Sequence, residues 1–336
     1  MAERTAALAD PGPVDVTSLG SRPPAAPPPL LDVRAVAVSF GGVRAVEEAT
    51  LAVPEGAFAS LIGPNGAGKT TLLHAVSGFC RPSGGEIRFA GERIDGHPPH
   101  AVAGRGIVRT FQRGRVFPRL TCLDNVRLGG KDHPGERFVA NLARRGARRR
   151  REAELTAQAR ELLGDVGLEA KAGELAGTLS GGQRKLLEFA RALMCEPRLV
   201  LLDEPMAGVN PTTGRHLMER IAALHERRGL TVLFVEHQLD VVMEMSDLVV
   251  VMAGGRVIRS GRPDEVRADR GVQDAYLGAW EATRPGRAGA AVDGGTEGRG
   301  PEGRSPERHG EESRQRQAGG EPGPVEPPRP GERDGR

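Results

Sequence analysis

Gly63-Pro64-Asn65-Gly66-Ala67-Gly68-Lys69-Thr70-Thr71 decides the fold, because the stretch fits the phosphate-loop pattern G-x-x-x-x-G-K-[ST] at every fixed position. Gly63, Gly66 and Gly68 reach backbone angles closed to residues with a Cβ, so the loop can curl with its N–H groups turned inward. Those donors precede a predicted helix starting near Lys69, whose positive end favours an anion. Lys69 is expected to reach the β- and γ-phosphates of a nucleotide as a point charge, and the Thr70 hydroxyl to ligate Mg²⁺. The apolar run Phe58-Ala59-Ser60-Leu61-Ile62 reads as the strand before the loop. Leu72, Leu73 and Val76 give the helix after it an apolar face.

Composition bounds the rest. The chain has 336 residues and a formal net charge of +3, too small a surplus to argue for a nucleic-acid partner. Aromatic residues make up 3%, too few for a base-stacking platform. The three cysteines, Cys80, Cys122 and Cys195, are widely spaced and form no C-x-x-C pair, which suits a reduced compartment with free thiols. The run from Val241 to Met252 is interrupted by Glu244 and Asp247, and no other stretch is long and apolar enough to span a bilayer. The N-terminus carries Glu3 and Asp10 and lacks a continuous apolar stretch, so it does not read as a signal peptide. A membrane role is therefore expected to come through a partner.

Residues 1–29 are Ala/Pro-rich and end in Pro27-Pro28-Pro29; residues 282–336 contain no Leu, Ile, Phe or Met. Neither segment offers enough apolar surface to offset its ordering entropy, so both are expected to be disordered extensions around one folded unit, residues 30–281. Inside that unit, Val33, Ala35, Ala37 and Ser39-Phe40, then Ala49, Leu51 and Val53, alternate as strands of an antiparallel edge sheet leading into the phosphate-loop strand. A further hairpin is expected around Ile87-Arg88-Phe89, Gly91 and Ile94. Leu155, Ala159, Leu162 and Leu163 are spaced for one helix face, with a charged start at Arg148 to Arg151 that reads as a solvated helix end. Two buried parallel strands, Leu199–Leu202 and Thr231–Val235, flank a helix around Leu217, Ile221 and Leu224. A last hairpin pairs Leu248–Met252 with Val257-Ile258.

The strand Leu199–Leu202 runs into Asp203-Glu204-Pro205. Asp203, at the strand's C-terminal end beside the phosphate loop, suits a Mg²⁺ held mainly through water. Glu204 can orient and deprotonate a water aimed at the γ-phosphate. Leu179-Ser180-Gly181-Gly182-Gln183 opens another helix, in which Ser180 and Gln183 form a capping box. Gly181 and Gly182 would let bare N–H groups approach an anion, which points to a second phosphate-binding surface serving a neighbour's nucleotide.

A phosphate loop, then Leu-Ser-Gly-Gly-Gln, then a strand ending Asp-Glu-Pro, then a strand ending in His237 resembles the ordered motif set of the ATP-binding cassette ATPases, over nearly all of residues 30–281. The resemblance implies an α/β fold: a P-loop NTPase core with a mainly parallel sheet, an antiparallel β subdomain, and a helical subdomain bearing the Ser180 signature. It implies ATP and Mg²⁺, and two cassettes sandwiching two nucleotides head to tail, with Ser180, Gly181, Gly182 and Gln183 completing the partner's site. Gln112 would touch Mg²⁺ and the attacking water and sense the membrane partner. His237 would contact the γ-phosphate, and Phe40 would stack on adenine.

The stretches Phe40–Val46, Arg109-Thr110-Phe111-Gln112, Glu204–Pro211, Val235-Glu236-His237 and Ala275-Tyr276-Leu277-Gly278 are similar to those of branched-chain amino-acid importer cassettes. Urea and lipopolysaccharide-export cassettes are close relatives and remain alternatives. The resemblance implies a peripheral subunit on the cytoplasmic side of the membrane, bound to permease subunits that take substrate from a secreted binding protein. Asn210 stands where many cassettes carry Asp. DNA-repair cassettes need a long coiled coil for which residues 70–179 leave no room, ribosome-acting ones usually carry two cassettes, and no Asn-Lys-x-Asp guanine-reading motif occurs.

Overall fold

The computed structural model of the protein describes residues 28–110, 116–131 and 145–276. Gln112, residues 1–27 and everything beyond Tyr276 lie outside the described residues. In chain order the strands are β1 (Leu31–Phe40), β2 (Val43–Val53), β3 (Phe58–Ile62), β4 (Gly84–Phe89), β5 (Glu92–Arg93), β6 (Ile107–Arg109), β7 (Leu199–Asp203), β8 (Thr231–Val235), β9 (Leu248–Ala253) and β10 (Arg256–Gly261). The α-helices are α1 (Lys69–Val76), α2 (Pro99–Gly104), α3 (Cys122–Arg127), α4 (Arg145–Asp165), α5 (Gly181–Leu193), α6 (Pro211–Arg228), α7 (Leu239–Met245), α8 (Pro263–Ala268) and α9 (Arg270–Ala275).

Two sheets form. The six-stranded one has the order β10-β9-β3-β8-β7-β6 and is parallel except for β10. The strands β3, β7, β8 and β9 are buried on both faces, and their alternate residues feed two different cores. Phe58, Ile62, Val200, Leu202, Val232, Phe234, Val249 and Val251 pack with apolar residues of α3 to α7. Ala59, Leu61, Leu199, Leu201, Leu233, Val235, Val250 and Met252 pack with β1, β2, β4 and α1. This two-sided cover is why these strands read as continuous apolar runs. A fully buried side chain such as Phe234 contributes about 1.5–3 kcal/mol through removal from water.

The four-stranded sheet, β2-β1-β4-β5, is antiparallel and separate from β3. The alternation expected along β1 is corrected here. Leu31 and Val33 face inward, but so do Val36 and Val38 in place of Ala35 and Ala37. A bulge at Ala35, with φ of 46° and its N–H donated to the Thr50 hydroxyl at 2.9 Å, inserts the extra residue that switches the face. Ala49, Leu51 and Val53 of β2 face inward as the sequence suggests. On the other side of the central sheet, α4 buries Leu155, Ala159, Leu162 and Leu163, and α6 buries Leu217, Ile221 and Leu224.

Candidate functional site

β3 drives straight into the loop that precedes α1, and two glycines there are dictated by space. A Cβ at Gly63 would lie 2.1 Å from the Met252 carbonyl oxygen on β9. One at Gly68, whose φ is 95°, would lie 2.4 Å from the Ala45 carbonyl oxygen on β2. The loop is thus held between both sheets, and only residues without side chains pass at these points. Asn65, Gly66, Ala67, Gly68, Lys69, Thr70 and Thr71 line one wall of a cavity of about 370 Å³, and Glu204 and His237 line the other. Gly63 and Pro64 form the base of the loop: their carbonyls accept from the Lys69 ammonium at 2.7 and 3.0 Å. Burial pushes the Lys69 pKa down, opposed by the charges of Glu204 and Asp203. Tyr276, just beyond α9, reaches the Gly63 backbone; burial pushes its phenol well up, opposed by that hydrogen bond.

The acids arrive on β7, whose residues are all buried and whose Asp203 is in register with Val235 of β8. Asp203 does not line the cavity. Its carboxylate sits behind it, 5% exposed, and accepts from Arg109 at the end of β6 at 2.7 Å. The Arg109 side chain is 4% exposed; it also reaches the Ser77 hydroxyl at 3.4 Å, and its Nε has no hydrogen-bond partner. His74 of α1 lies in the same neighbourhood, its pKa pushed down by burial and by Arg109 and partly restored by Asp203.

Glu204 adopts φ of 51°, a left-handed conformation that costs a non-glycine residue on the order of 1–3 kcal/mol and persists only where the surroundings enforce it. Its N–H donates to the Val235 carbonyl and its own carbonyl accepts from Ala207, both at 3.0 Å. Its carboxylate stands 2.8 Å from His237 Nε2. An ionised carboxylate can only accept, so the imidazole donates here. The general base and the histidine expected from the sequence are therefore one hydrogen-bonded pair facing the phosphate loop.

Ser180 caps α5 with the reciprocal box the sequence suggests: Gln183 N–H donates to Ser180 Oγ at 3.3 Å, and Ser180 N–H to Gln183 Oε1 at 3.0 Å. Ser180 is exposed, and Ser180 to Gln183 do not line the cavity. Gly182 has a packing reason of its own, since a Cβ there would meet Thr213 Cγ2 of α6 at 2.5 Å. Packing against α6 thus calls for a glycine here whether or not an anion approaches its N–H. Phe40 ends β1 with 52% of its surface exposed and is also absent from the cavity wall. Val43, Arg44 and Ala45 line the cavity instead. Sequence reasoning passed over these three, over Arg109 and over Glu236, although all five stand inside stretches it quoted. Their signal was adjacency to a functional residue, and periodicity does not distinguish that from packing.

The donor set fits a magnesium nucleotide. The Thr70 hydroxyl lines the cavity as a hard oxygen donor, and the loop supplies N–H groups and an ammonium for phosphates; the Asp203 carboxylate, a second hard oxygen donor, is paired with Arg109 outside the cavity lining. Among the described residues no group of three or more His, Cys, Asp or Glu is placed to hold a metal ion.

Comparison with known proteins agrees with this geometry. Residues 46–207 match the ABC transporter family. The high-affinity branched-chain amino acid transport ATP-binding protein BraF of Pseudomonas aeruginosa is 42% identical over 250 residues, 74% of this chain and 98% of that protein. The corresponding LivG protein of Salmonella typhimurium is 37% identical over 250 residues, with 74% and 98% coverage. An ATP-binding cassette of an ABC transporter, solved in its ADP conformation, superposes with a TM-score of 0.64 at 33% identity, covering 74% of this chain and 98% of that one. The chain belongs to the ABC transporter family, as one of its ATP-hydrolysing cassettes.

Proposed function

We propose that the chain binds and hydrolyses MgATP to power the import of branched-chain amino acids, as the ATP-binding subunit of a membrane complex. The observation that carries the chemistry is the Glu204–His237 pair at 2.8 Å, facing the phosphate loop across one cavity. In this reading the loop N–H groups and Lys69 hold the phosphates, and Phe40 and Val43 offer apolar surface to the adenine. Thr70, Asp203 and Gln112 would hold Mg²⁺, which when bound neutralises charge on the β- and γ-phosphates. Glu204 takes the proton of the attacking water, and His237 orients the carboxylate and reaches toward the γ-phosphate. The substrate class rests on BraF and LivG, both described as branched-chain amino acid transport proteins.

The same reading makes the exposed Ser180 cap a contact for the nucleotide of a second cassette, with residues 30–281 as the cassette and residues 1–29 and 282–336 as extensions. No helix among the described residues is long and apolar enough to cross a membrane, which supports a peripheral subunit. It would sit on the cytoplasmic face, held by permeases that receive substrate from a secreted binding protein.

Two experiments test it. Glu204→Gln is expected to bind MgATP yet lose hydrolysis by roughly 10²-fold or more, and to associate with a second cassette on a sizing column when ATP is added. Adding Ser180→Arg is expected to abolish that association while ATP still binds; association that survives would sink the two-cassette arrangement. Deleting the gene is expected to reduce leucine, isoleucine and valine uptake, and normal uptake of all three would refute the substrate assignment.

A further inference from the structure

We propose that Glu236 is a positioning residue, which locks the loop carrying Glu204 and the backbone of His237 into one arrangement. Glu236 directly follows β8 and is 4% exposed. One carboxylate oxygen accepts from Met206 N–H at 2.7 Å, two residues after Glu204. The other accepts from His237 N–H at 3.2 Å. With the His237–Glu204 contact at 2.8 Å, these bonds close a ring that runs from Glu204 through Pro205 and Met206 to Glu236 and back through His237.

The ring answers a question raised by the backbone. Glu204 sits in a left-handed conformation that a non-glycine residue leaves unless several contacts hold it. Its N–H and carbonyl are tied to Val235 and Ala207. The next anchored point along the loop is Met206, and Glu236 is what anchors it. An apolar side chain at 236 would leave the buried Met206 N–H without this acceptor. A glutamine has a single carbonyl oxygen and would turn its NH₂ toward the other donor. Only a carboxylate offers an acceptor to each.

The choice is costly, which argues against a purely structural role. Burial pushes the Glu236 pKa up, and the two backbone donors and the charge of His237 oppose that only in part; Glu204 nearby adds repulsion. Lys185 of α5 lies close enough for Glu188, Glu236 and Glu204 to counter the effect of its own burial. A buried carboxylate kept at such a place, between two groups of a reaction site, has the character of a functional group.

This inference rests on the ATPase reading, and the experiment separates the two. Wild type, Glu204→Gln and Glu236→Gln are compared as full chains. In nucleotide-free protein, amide exchange at Met206 and His237 of Glu236→Gln is expected to accelerate about tenfold or more. Its melting temperature is expected to stay within about 2 °C of wild type or to rise. Its kcat for MgATP is expected to fall about tenfold or more, with KM within about twofold. Unchanged exchange or unchanged kcat overturns the proposal, and so does a kcat loss accompanied by a melting temperature lower by more than about 5 °C. Should Glu236→Gln fail to fold, Glu236→Asp, which draws both oxygens back, carries the same measurements. A wild type that does not hydrolyse ATP would refute the ATPase reading, and the exchange rates would then decide the role of Glu236 alone.

Discussion

Replacing Arg109 by Met leaves the Asp203 carboxylate buried without its cation. The pair is short, 2.7 Å, and both side chains are at most 5% exposed, so solvent screens it little. At an effective dielectric near 20, unit charges at about 4 Å attract by about 4 kcal/mol. Removing one member of a buried pair typically costs about 3–5 kcal/mol, because the remaining charge keeps its desolvation penalty. For a domain of about 250 residues each kcal/mol shifts the melting temperature by about 2–4 °C, so Arg109→Met is expected to lose about 6–20 °C. Asp203→Asn alone should also destabilise, since it strands the guanidinium. The double variant Arg109→Met/Asp203→Asn should cost less than the sum of the singles by about 2–3 kcal/mol. Thermal denaturation of the nucleotide-free protein measures all four corners of the cycle. His74 supplies an independent readout: without Arg109 its pKa should rise toward that of an ordinary histidine, visible in an NMR titration. Additivity within about 0.5 kcal/mol, or an unmoved His74, would refute the reasoning.

Asn210 caps α6 by accepting from Thr212 N–H at 3.0 Å. Asn210→Ala is expected to cost about 0.5–2 kcal/mol in denaturant unfolding, while Asn210→Asp keeps the cap and should stay within a few tenths. Glu236 predicts a pH signature. Its folded-state pKa lies above the ordinary 4.5, so its contribution to stability is present below that value and is lost as pH rises through the folded pKa. The melting temperature of Glu236→Gln relative to wild type should therefore move in the variant's favour as pH is raised from about 4.5 toward neutrality, and a flat difference would contradict it.

Much of the molecule was legible in one dimension because its determinants are local. The phosphate loop is a contiguous run whose glycines and lysine act within nine residues. The Ser180–Gln183 box links residues three positions apart, and the buried strands β7 and β8 announce themselves by the apolar runs Leu199–Leu202 and Val232–Val235. The helix faces of α4 and α6 followed from spacing alone. What stayed hidden depends on pairings across long sequence separations. Ala35 bulges because its N–H finds the Thr50 hydroxyl, and that slip reverses the face of everything after it in β1. Gly182 is small because α6 passes it, 31 positions away at Thr213. Arg109 meets Asp203 across 94 positions, and Met206 reaches Glu236 across 30. The chain alone determined that these residues exist, that strands and helices alternate, and that a phosphate cradle precedes α1. Only the tertiary structure decided which buried charge faces which, because burial removes the solvent that would otherwise screen them and leaves each polar group to find a partner wherever the folded chain brings one.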